Sequence, residues 1–285
     1  MPNLSDRRIN AIRSTECLAE ARSHQRLTIQ CFTTLLSQFK LQKPPPTAAS
    51  QPIRPPTMPD DSPLNLTPLN RVISPPLNLN PPNTPPNLYT AAYQYFTSIP
   101  WCADLLLSES SADGTGLAIP FVAQCFNPVS DLHDQFVGAT LASHPRGIKH
   151  ILSFFRPLDA SHLRDPARPI GRVDTLFALG DGLSGYHNIV HGGMTMTMAD
   201  ESMGMVNEIN TALGKDGLVH KLSSVTAGLD IKFLQPVSIP GVVCVTAWTE
   251  SIVGRKTRVK CEVKDSRGEV LAKCTSTWIA LKANL

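Results

Sequence analysis

Apolar residues recur throughout the stretch from Met194 to Ile209, around which the rest of the chain is organised. Its apolar residues fall on every side of a helix rather than on one stripe, which predicts a helix that is buried all round. Asp200 and Glu201 stand in its middle, and the helical repeat separates them by about 100° around the axis. A buried carboxylate costs free energy unless it is paired, hydrogen-bonded or chemically active. We therefore expect one of the two to face a cavity while the other reaches a different neighbour.

Strand-like patterns surround this helix. Before it, residues 172–180 alternate polar and apolar positions, and residues 151–156 form a short apolar run. After it come four strand-like stretches, residues 223–234, 242–252, 255–263 and 270–281. Turn residues at 254 and 265–268 predict hairpins between the last three of them. A strand, a long buried helix and an antiparallel meander together predict an α+β domain, because a sheet that wraps around one helix buries it on all sides.

The N-terminal part of the chain has a different pattern. Residues 44–87 contain 15 of the 25 prolines, so they cannot bury a core and are predicted to form an extended linker. Residues 1–43 carry seven basic and three acidic side chains and permit an amphipathic helix. We therefore interpret residues 1–87 as a disordered, Pro-rich extension. The domain is predicted to occupy residues 88–285.

Within that domain, residues 89–107 are apolar and aromatic and predict a helix that ends near Pro100, followed by a second short element. This segment forms a helical lead-in, and the core of the domain is expected at residues 150–281.

Composition excludes several classes of function. The net charge is only +3 and no basic patch is interleaved with aromatics, so nucleic-acid binding is not indicated. The seven cysteines are scattered without a C-x-x-C pair, which argues against a disulfide framework and against a zinc site. No apolar run approaches the roughly 20 residues that span a bilayer. We expect a soluble cytoplasmic protein, with mitochondrial import of the Arg-containing N-terminus as the alternative.

Two glycines open the buried helix. Gly192 and Gly193 stand where the first backbone N–H groups of a helix have no partner inside it. A ligand can approach glycine closely, and the positive end of a helix suits a carbonyl oxygen that becomes negative during acyl transfer. Asp200 follows two turns later, roughly 10 Å along the axis, a spacing that could bracket a group of thioester size. A plain Gly-Gly helix start with a carboxylate bonded to a nearby loop would explain the same residues.

Three motifs resemble those of the PaaI/THEM4-like group of hotdog-fold thioesterases. They are His191-Gly192-Gly193 followed by Asp200, the run from Thr226 to Pro236, and Gly254-Arg255-Lys256. The resemblance covers residues 150–281 well and 88–150 loosely, and it does not cover residues 1–87. It implies a hotdog fold, in which an antiparallel sheet wraps around a long central helix, and thioester hydrolysis without a cofactor.

The resemblance also implies roles for single residues. Asp200 takes the position of the catalytic carboxylate, acting as a general base for water or as a nucleophile. Gly192, with Gly193 as the neighbouring candidate, would donate the N–H that polarises the thioester carbonyl. Thr226 matches a Ser or Thr that in relatives comes from the adjoining subunit, so a homodimer or a dimer of dimers is implied. Some relatives have an Asn where this chain has Gly185, which leaves the polar partner of Asp200 open.

Other residues keep two interpretations. His191 could shape the turn through a backbone hydrogen bond or exchange protons. Arg255 and Lys256 could contact the phosphates of coenzyme A or simply form a solvated hairpin tip. Five helix methionines, at 194, 196, 198, 203 and 205, could pack the core or also line an acyl tunnel.

The function that we expect is hydrolysis of a thioester, either an acyl-CoA or an acyl or polyketide chain held by a carrier protein. A hydratase or dehydratase on the same fold is the first alternative. Such enzymes usually use a His–Asp arrangement at a spacing that this chain lacks. A non-catalytic acyl-CoA binding or sensing protein is the second, and the presence of Asp200 argues against it.

Overall fold

The computed structural model describes residues 72–80, 87–108, 116–123 and 135–281, all of which belong to the compact unit Pro55–Leu285. Residues 1–43, for which mitochondrial import was the alternative, and most of the predicted linker lie outside these residues. The helices are α1 (Leu88–Thr97), α2 (Pro100–Leu107), α3 (Ala160–Arg164), α4 (Gly192–Ala212) and α5 (Leu218–Lys221), with a π-helical segment at Gln135–Ala142. None of the described helices is both long enough and apolar enough to cross a membrane.

Eight strands form one antiparallel sheet, in the order β1-β2-β3-β4-β8-β9-β10-β7. They are β1 (Val72–Ile73), β2 (Ile119–Ala123), β3 (Ile148–Phe155), β4 (Arg172–Leu179), β7 (Ser224–Phe233), β8 (Gly241–Val253), β9 (Lys256–Lys264) and β10 (Val270–Ala280). A separate hairpin of β5 (Ser184–Tyr186) and β6 (Ile189–Val190) leads into α4. The helix α4 packs against β4, β8, β9, β10 and β7. The predicted architecture, an antiparallel sheet around one long helix, is therefore confirmed.

The ends of α4 follow from its flanking residues. His191 is extended, with φ −61° and ψ 136°, and its side chain caps the first turn. At the other end Gly214 adopts a left-handed φ of 63°, a conformation that favours glycine and allows the chain to leave the helix. The N–H of Lys215 then donates to the carbonyl of Asn210 at 2.9 Å, which satisfies one of the carbonyls left without an intrahelical partner.

A bulge in β7 decides which of its side chains face α4. Trp278 of β10 pairs with Thr226, whereas its neighbour Thr277 pairs with Gly228, so Ala227 is the extra residue. Because side chains alternate along a strand, the extra residue turns Thr226 rather than Ala227 toward the helix.

The predicted boundary between extension and domain is wrong by at least one element. Residues 72–80 fall inside the supposedly disordered extension, yet Val72 and Ile73 pair with β2 and are at most 2% exposed. Leu77 and Leu79 are buried with them, and the Ser74 hydroxyl donates to the Pro120 carbonyl at 2.9 Å. Four apolar residues within nine positions bury enough surface to hold this segment on the sheet, despite Pro75 and Pro76 within it.

Candidate functional site

Asp200 and Thr226 meet where α4 faces β7. The Thr226 hydroxyl donates to Asp200 Oδ1 at 2.8 Å, and the Asp200 side chain is partly buried. Burial raises the pKa of Asp200, while the hydrogen bond from Thr226 opposes this by stabilising the carboxylate, and the net shift is upward. A carboxylate in this environment is a stronger base than one in water.

The resemblance implied that Thr226 comes from an adjoining subunit. The structure instead joins Thr226 to the Asp200 of its own chain. Gly185 stands where some relatives have an asparagine, and it has no side chain that could contact Asp200. A Cβ added at Gly185 would lie 3.0 Å from His191 Cα and 3.2 Å from His191 Cδ2, so an asparagine there would require a shift. Within the described ranges, Thr226 is the polar group that contacts the Asp200 carboxylate.

The hydrogen bonds in the first turn of α4 distinguish Gly192 from Gly193, which the sequence left as alternative N–H donors. The N–H of Gly193 donates to His191 Nδ1 at 3.0 Å, so this amide is already satisfied. The N–H groups of Met194 and Thr195 both donate to the His191 carbonyl, at 2.9 and 3.2 Å. Of the first amides of α4, that of Gly192 has no acceptor in the described part of the chain, which leaves it as the free donor of this turn.

An aromatic ring stands over this free donor. A Cβ added at Gly192 would lie 3.3 Å from Phe233 Cζ, so the ring packs closely on the glycine. Phe233 ends β7 and remains 52% exposed. The seam between α4 and β7 therefore runs from Gly192 and Phe233 at one end to Asp200 and Thr226 further along.

Among the described residues, the predicted phosphate contacts Arg255 and Lys256 form no hydrogen bond or ion pair with Asp200 or Thr226. They belong to the hairpin between β8 and β9, whose residue Gly254 has a φ of 60°. Arg255 Nη1 donates to the Ala280 carbonyl at 2.7 Å. Lys256 is exposed, and its neighbour Thr257 is buried toward α4, so strand alternation turns Lys256 to the outer face of the sheet. One chain does not bring these cations to Asp200.

Trp278 is a neighbour of the site that the sequence analysis missed. A Cβ added at Gly204, one turn after Asp200, would lie 3.2 Å from Trp278 Cη2, so the indole rests on that glycine. Trp278 Nε1 donates to Ser276 Oγ at 2.8 Å, and Ser276 Oγ lies 3.1 Å from Met203 Sδ, which fixes the ring. A glycine in the middle of a helix is unfavourable by about 1 kcal/mol relative to alanine, so Gly204 itself was a clue to this close approach.

The seam thus combines a basic carboxylate, a hydroxyl that orients it, a free amide at a helix N-terminus and an apolar wall. These are the groups that acyl transfer to water requires. No three His, Cys, Asp or Glu side chains are grouped to hold a metal ion anywhere in the described ranges.

Comparison with known proteins points in the same direction. Residues 187–272 match the model of the thioesterase superfamily, and this segment contains Gly192, Asp200 and Thr226. A curated relative is "Verlamelin biosynthesis protein B" of Lecanicillium sp, which is 27% identical over an alignment of 150 residues that covers 45% of this chain. The match spans 64% of that relative's length.

Solved structures that match part of the chain include a hypothetical thioesterase from Streptococcus pneumoniae TIGR4 with coenzyme A. It is 18% identical, with a TM-score of 0.34, over 39% of this chain and 82% of that one. The E. coli PaaI protein from the phenylacetic acid degradation operon is 15% identical, with a TM-score of 0.34, over 39% of this chain and 74% of that one.

Proposed function

We propose that residues 187–272, which match the model of the thioesterase superfamily, belong to a hotdog-fold domain that hydrolyses an acyl thioester at Asp200. The observation that carries the proposal is the Asp200–Thr226 pair, which lies within the matched segment and on the same helix as the free Gly192 amide. A PaaI/THEM4-like acyl-CoA thioesterase is the subgroup that we propose.

In the proposed reaction Asp200 takes a proton from water, and the resulting hydroxide attacks the thioester carbonyl carbon. The carbonyl oxygen becomes negative and is stabilised by the Gly192 N–H at the positive end of α4. The tetrahedral intermediate then collapses, the C–S bond breaks, and the thiolate receives the proton from Asp200. A carboxylic acid and a free thiol result. Direct attack by Asp200 through an anhydride is the alternative route, which ¹⁸O incorporation into Asp200 during single turnover would reveal.

The first test is thiol release from a series of acyl-CoAs of graded chain length by the wild type and by Asp200→Asn. We expect hydrolysis of some members, and a loss of about 10²–10⁴-fold in kcat/KM for the variant, because a positioned base typically contributes that much. The fold should survive, since the raised pKa of Asp200 means that burial disfavours its charged form. Tight binding without turnover would support the sensing protein instead. Addition of water to an enoyl thioester would support a hydratase, and loss of water from a hydroxyacyl thioester would support a dehydratase.

Gly192 allows a matched test of the free amide. Proline is tolerated at the first position of a helix, and His191 before it already has the extended backbone that proline requires. Gly192→Pro therefore removes the backbone N–H and otherwise changes the helix little. Gly192→Ala adds the same Cβ contact to Phe233 but keeps the N–H. We expect a fall in kcat of about 10²-fold or more for the proline variant relative to the alanine variant. Equal rates for the two variants would remove Gly192 from the mechanism.

Within one chain, the Gly192 N–H and the Asp200 carboxylate are too far apart to act on the same thioester carbonyl. The N–H groups at the start of a helix point away from its body along the axis, and Asp200 lies about two turns in the other direction. Hydrogen-bond contacts span only about 3 Å each, so the two groups cannot both serve one reacting carbon. The spacing that suggested a bracketed thioester is too long within one copy. We therefore propose that Gly192 of one copy works with Asp200 of another, in a homodimer.

The open edge of β7 is the surface that this dimer would use. Among the residues that the structure describes, β7 pairs only with β10, and Val225, Phe233 and Leu234 expose 45%, 52% and 41% of their surfaces. An unpaired strand of this length is a template for pairing with another copy. Val225→Lys, which places a charge on the exposed surface of this edge strand, should give a monomer in sedimentation experiments with loss of hydrolysis. Val253→Lys, at an exposed hairpin end, should remain a dimer.

Mixed dimers test the shared site directly. When Asp200→Asn and Gly192→Pro chains are denatured, mixed in equal amounts and refolded together, half of the dimers contain one copy of each. Each mixed dimer then has one complete site, so about a quarter of the wild-type rate should return. No recovery, with mixed dimers verified by mass spectrometry, would place the whole site within one copy.

The thiol carrier is a second question. A relative named as a biosynthesis protein supports a role in a biosynthetic pathway, in which the acyl or polyketide chain would be held by a carrier protein. Competition between an acyl-CoA and the same acyl group on a phosphopantetheinylated carrier decides this. A higher kcat/KM for the carrier-bound form would favour biosynthesis, and a higher value for the CoA form would favour hydrolysis of free acyl-CoA.

A further inference from the structure

Two asparagines of α4 differ sharply in their surroundings. Asn210 is fully bonded: its Oδ1 accepts from the Ile170 N–H at 2.7 Å, and its Nδ2 donates to the carbonyls of Ile170 and Val206 at 2.8 and 2.7 Å. Asn207, one turn earlier, is only 7% exposed, and neither its Oδ1 nor its Nδ2 has a partner in the described part of the chain. Buried amides without partners are rare in proteins, and each calls for an explanation.

Asn207 lies on the face of α4 that carries Asp200. Seven residues separate the two, which places them within about 20° of each other around the axis and roughly 10 Å apart along it. Gly204 lies between them on the same face, with the Trp278 indole against it. The seam that contains Asp200 therefore continues past Trp278 to a buried amide.

A second unpaired polar group lies in the same direction. Ser224 is two residues before Thr226, and both face α4. The Ser224 hydroxyl is buried and has no partner among the described residues. Since β7 runs from Ser224 past Thr226 to Phe233 over Gly192, the Ser224 end of the strand is the end away from the start of α4.

We infer that Asn207, helped by Ser224, binds an oxygen substituent, a hydroxyl or a ketone, on the acyl chain of the substrate. This rests on the proposed hydrolysis at Asp200. The buried end of the seam suits the acyl chain because the pantetheine arm must lead out to its nucleotide or carrier protein. An asparagine amide both donates and accepts, so it can pair with a hydroxyl in either direction and with a ketone through its N–H.

The test compares acyl-CoAs of equal length with and without a hydroxyl group, the hydroxyl being moved along the chain. For the wild type we expect one position at which the hydroxylated substrate has a kcat/KM about 10-fold or more above the plain one, because the plain chain leaves the amide unpaired. Asn207→Leu, which has a similar volume, should abolish this preference and keep hydrolysis of the plain substrate. No preference at any position in the wild type would overturn the inference.

Stability supplies a second measurement. Asn207→Leu removes an unpaired buried amide and should raise the midpoint of thermal unfolding, whereas Asn210→Leu breaks three hydrogen bonds and should lower it. A lowered midpoint for Asn207→Leu, with the hydroxyl preference intact, would make Asn207 a packing residue. An equal rise in KM for all substrates, with or without the hydroxyl, would assign it to the pantetheine arm and would also overturn the inference.

Failure of the proposed hydrolysis remains distinguishable. If the wild type hydrolyses no thioester, the proposed function fails, but non-hydrolysable thioether analogues of the same acyl-CoA pairs can still be titrated. A preference for the hydroxylated analogue that disappears in Asn207→Leu would support the inference, and equal affinity for both analogues would refute it.

Discussion

At the scale of single residues, the chemistry of the candidate site depends on one hydrogen bond. Asp200 loses water on folding, which disfavours its charge, and only Thr226 among the described residues compensates with a donor. A more complete set of donors would return the carboxylate to an ordinary acidity and make it a weaker base. Burial therefore makes Asp200 more basic than a carboxylate in water, which favours the activation of water.

Removal of the Thr226 hydroxyl should change the pH dependence of hydrolysis. In Thr226→Val the carboxylate loses its donor, so the pKa of Asp200 rises further. Because the ionised form is the base, the acid limb of the kcat/KM profile should move to higher pH. Thr226→Ser keeps the hydroxyl and should leave the limb in place. An unmoved limb in Thr226→Val, with activity retained, would mean that a group other than Asp200 titrates.

The residues of this site were only partly predictable. Asp200, Gly192 and Thr226 were identified from motifs, but the contact between Asp200 and Thr226 joins residues 26 positions apart and depends on the bulge at Ala227. Gly192 and Gly193 were equivalent in the sequence, and only the capping bond from Gly193 to His191 Nδ1 separates them. Such distinctions arise from tertiary geometry that a motif does not contain.

At the scale of elements, the helix and strands were predicted well because their patterns are long and regular. The four strands after α4 lie within two residues of the predicted bounds. The strand β1 was missed for the opposite reason, since two residues between prolines carry no period. A short strand becomes visible only through its partner, here β2.

Lys215 follows α4 and connects the end of this helix to the end of α3. It is 1% exposed, and its ammonium donates to the carbonyls of His162, Leu163 and Asp165 at the end of α3, the last at 2.8 Å. Lys215→Met would leave these carbonyls without a donor, so we expect a loss of about 2–4 kcal/mol in the free energy of unfolding by urea. Lys221→Met, which removes an exposed ion pair to Asp216, should change it by less than about 1 kcal/mol. Similar small losses for both variants would show that α3 does not depend on Lys215.

At the scale of the whole molecule, acid should destabilise the fold through His220. This residue is 3% exposed, and burial, with a smaller effect of the Lys215 cation, lowers its pKa to about 4. The unfolded chain therefore binds a proton that the folded chain does not between about pH 6.5 and 4, and stability falls as the pH falls through this window.

His220→Phe should abolish that contribution. Urea unfolding at pH 7 and pH 4 should show on the order of 3 kcal/mol less acid-induced loss than in the wild type. His187→Phe, at an exposed position, should behave like the wild type. If the His220 variant loses as much stability as the wild type, the acid sensitivity originates in another group.

The two ends of the sheet have a consequence for polymerisation. Within the described residues, one end finishes in the two-residue strand β1, which is too short to offer much backbone to another chain, while the other finishes in the ten residues of β7. A molecule with one long unpaired edge strand can pair only through the same strand of a second molecule. Such pairing is symmetric and leaves only the two short β1 edges at the ends of the joined sheet, so growth ends at two copies and does not continue into a fibre.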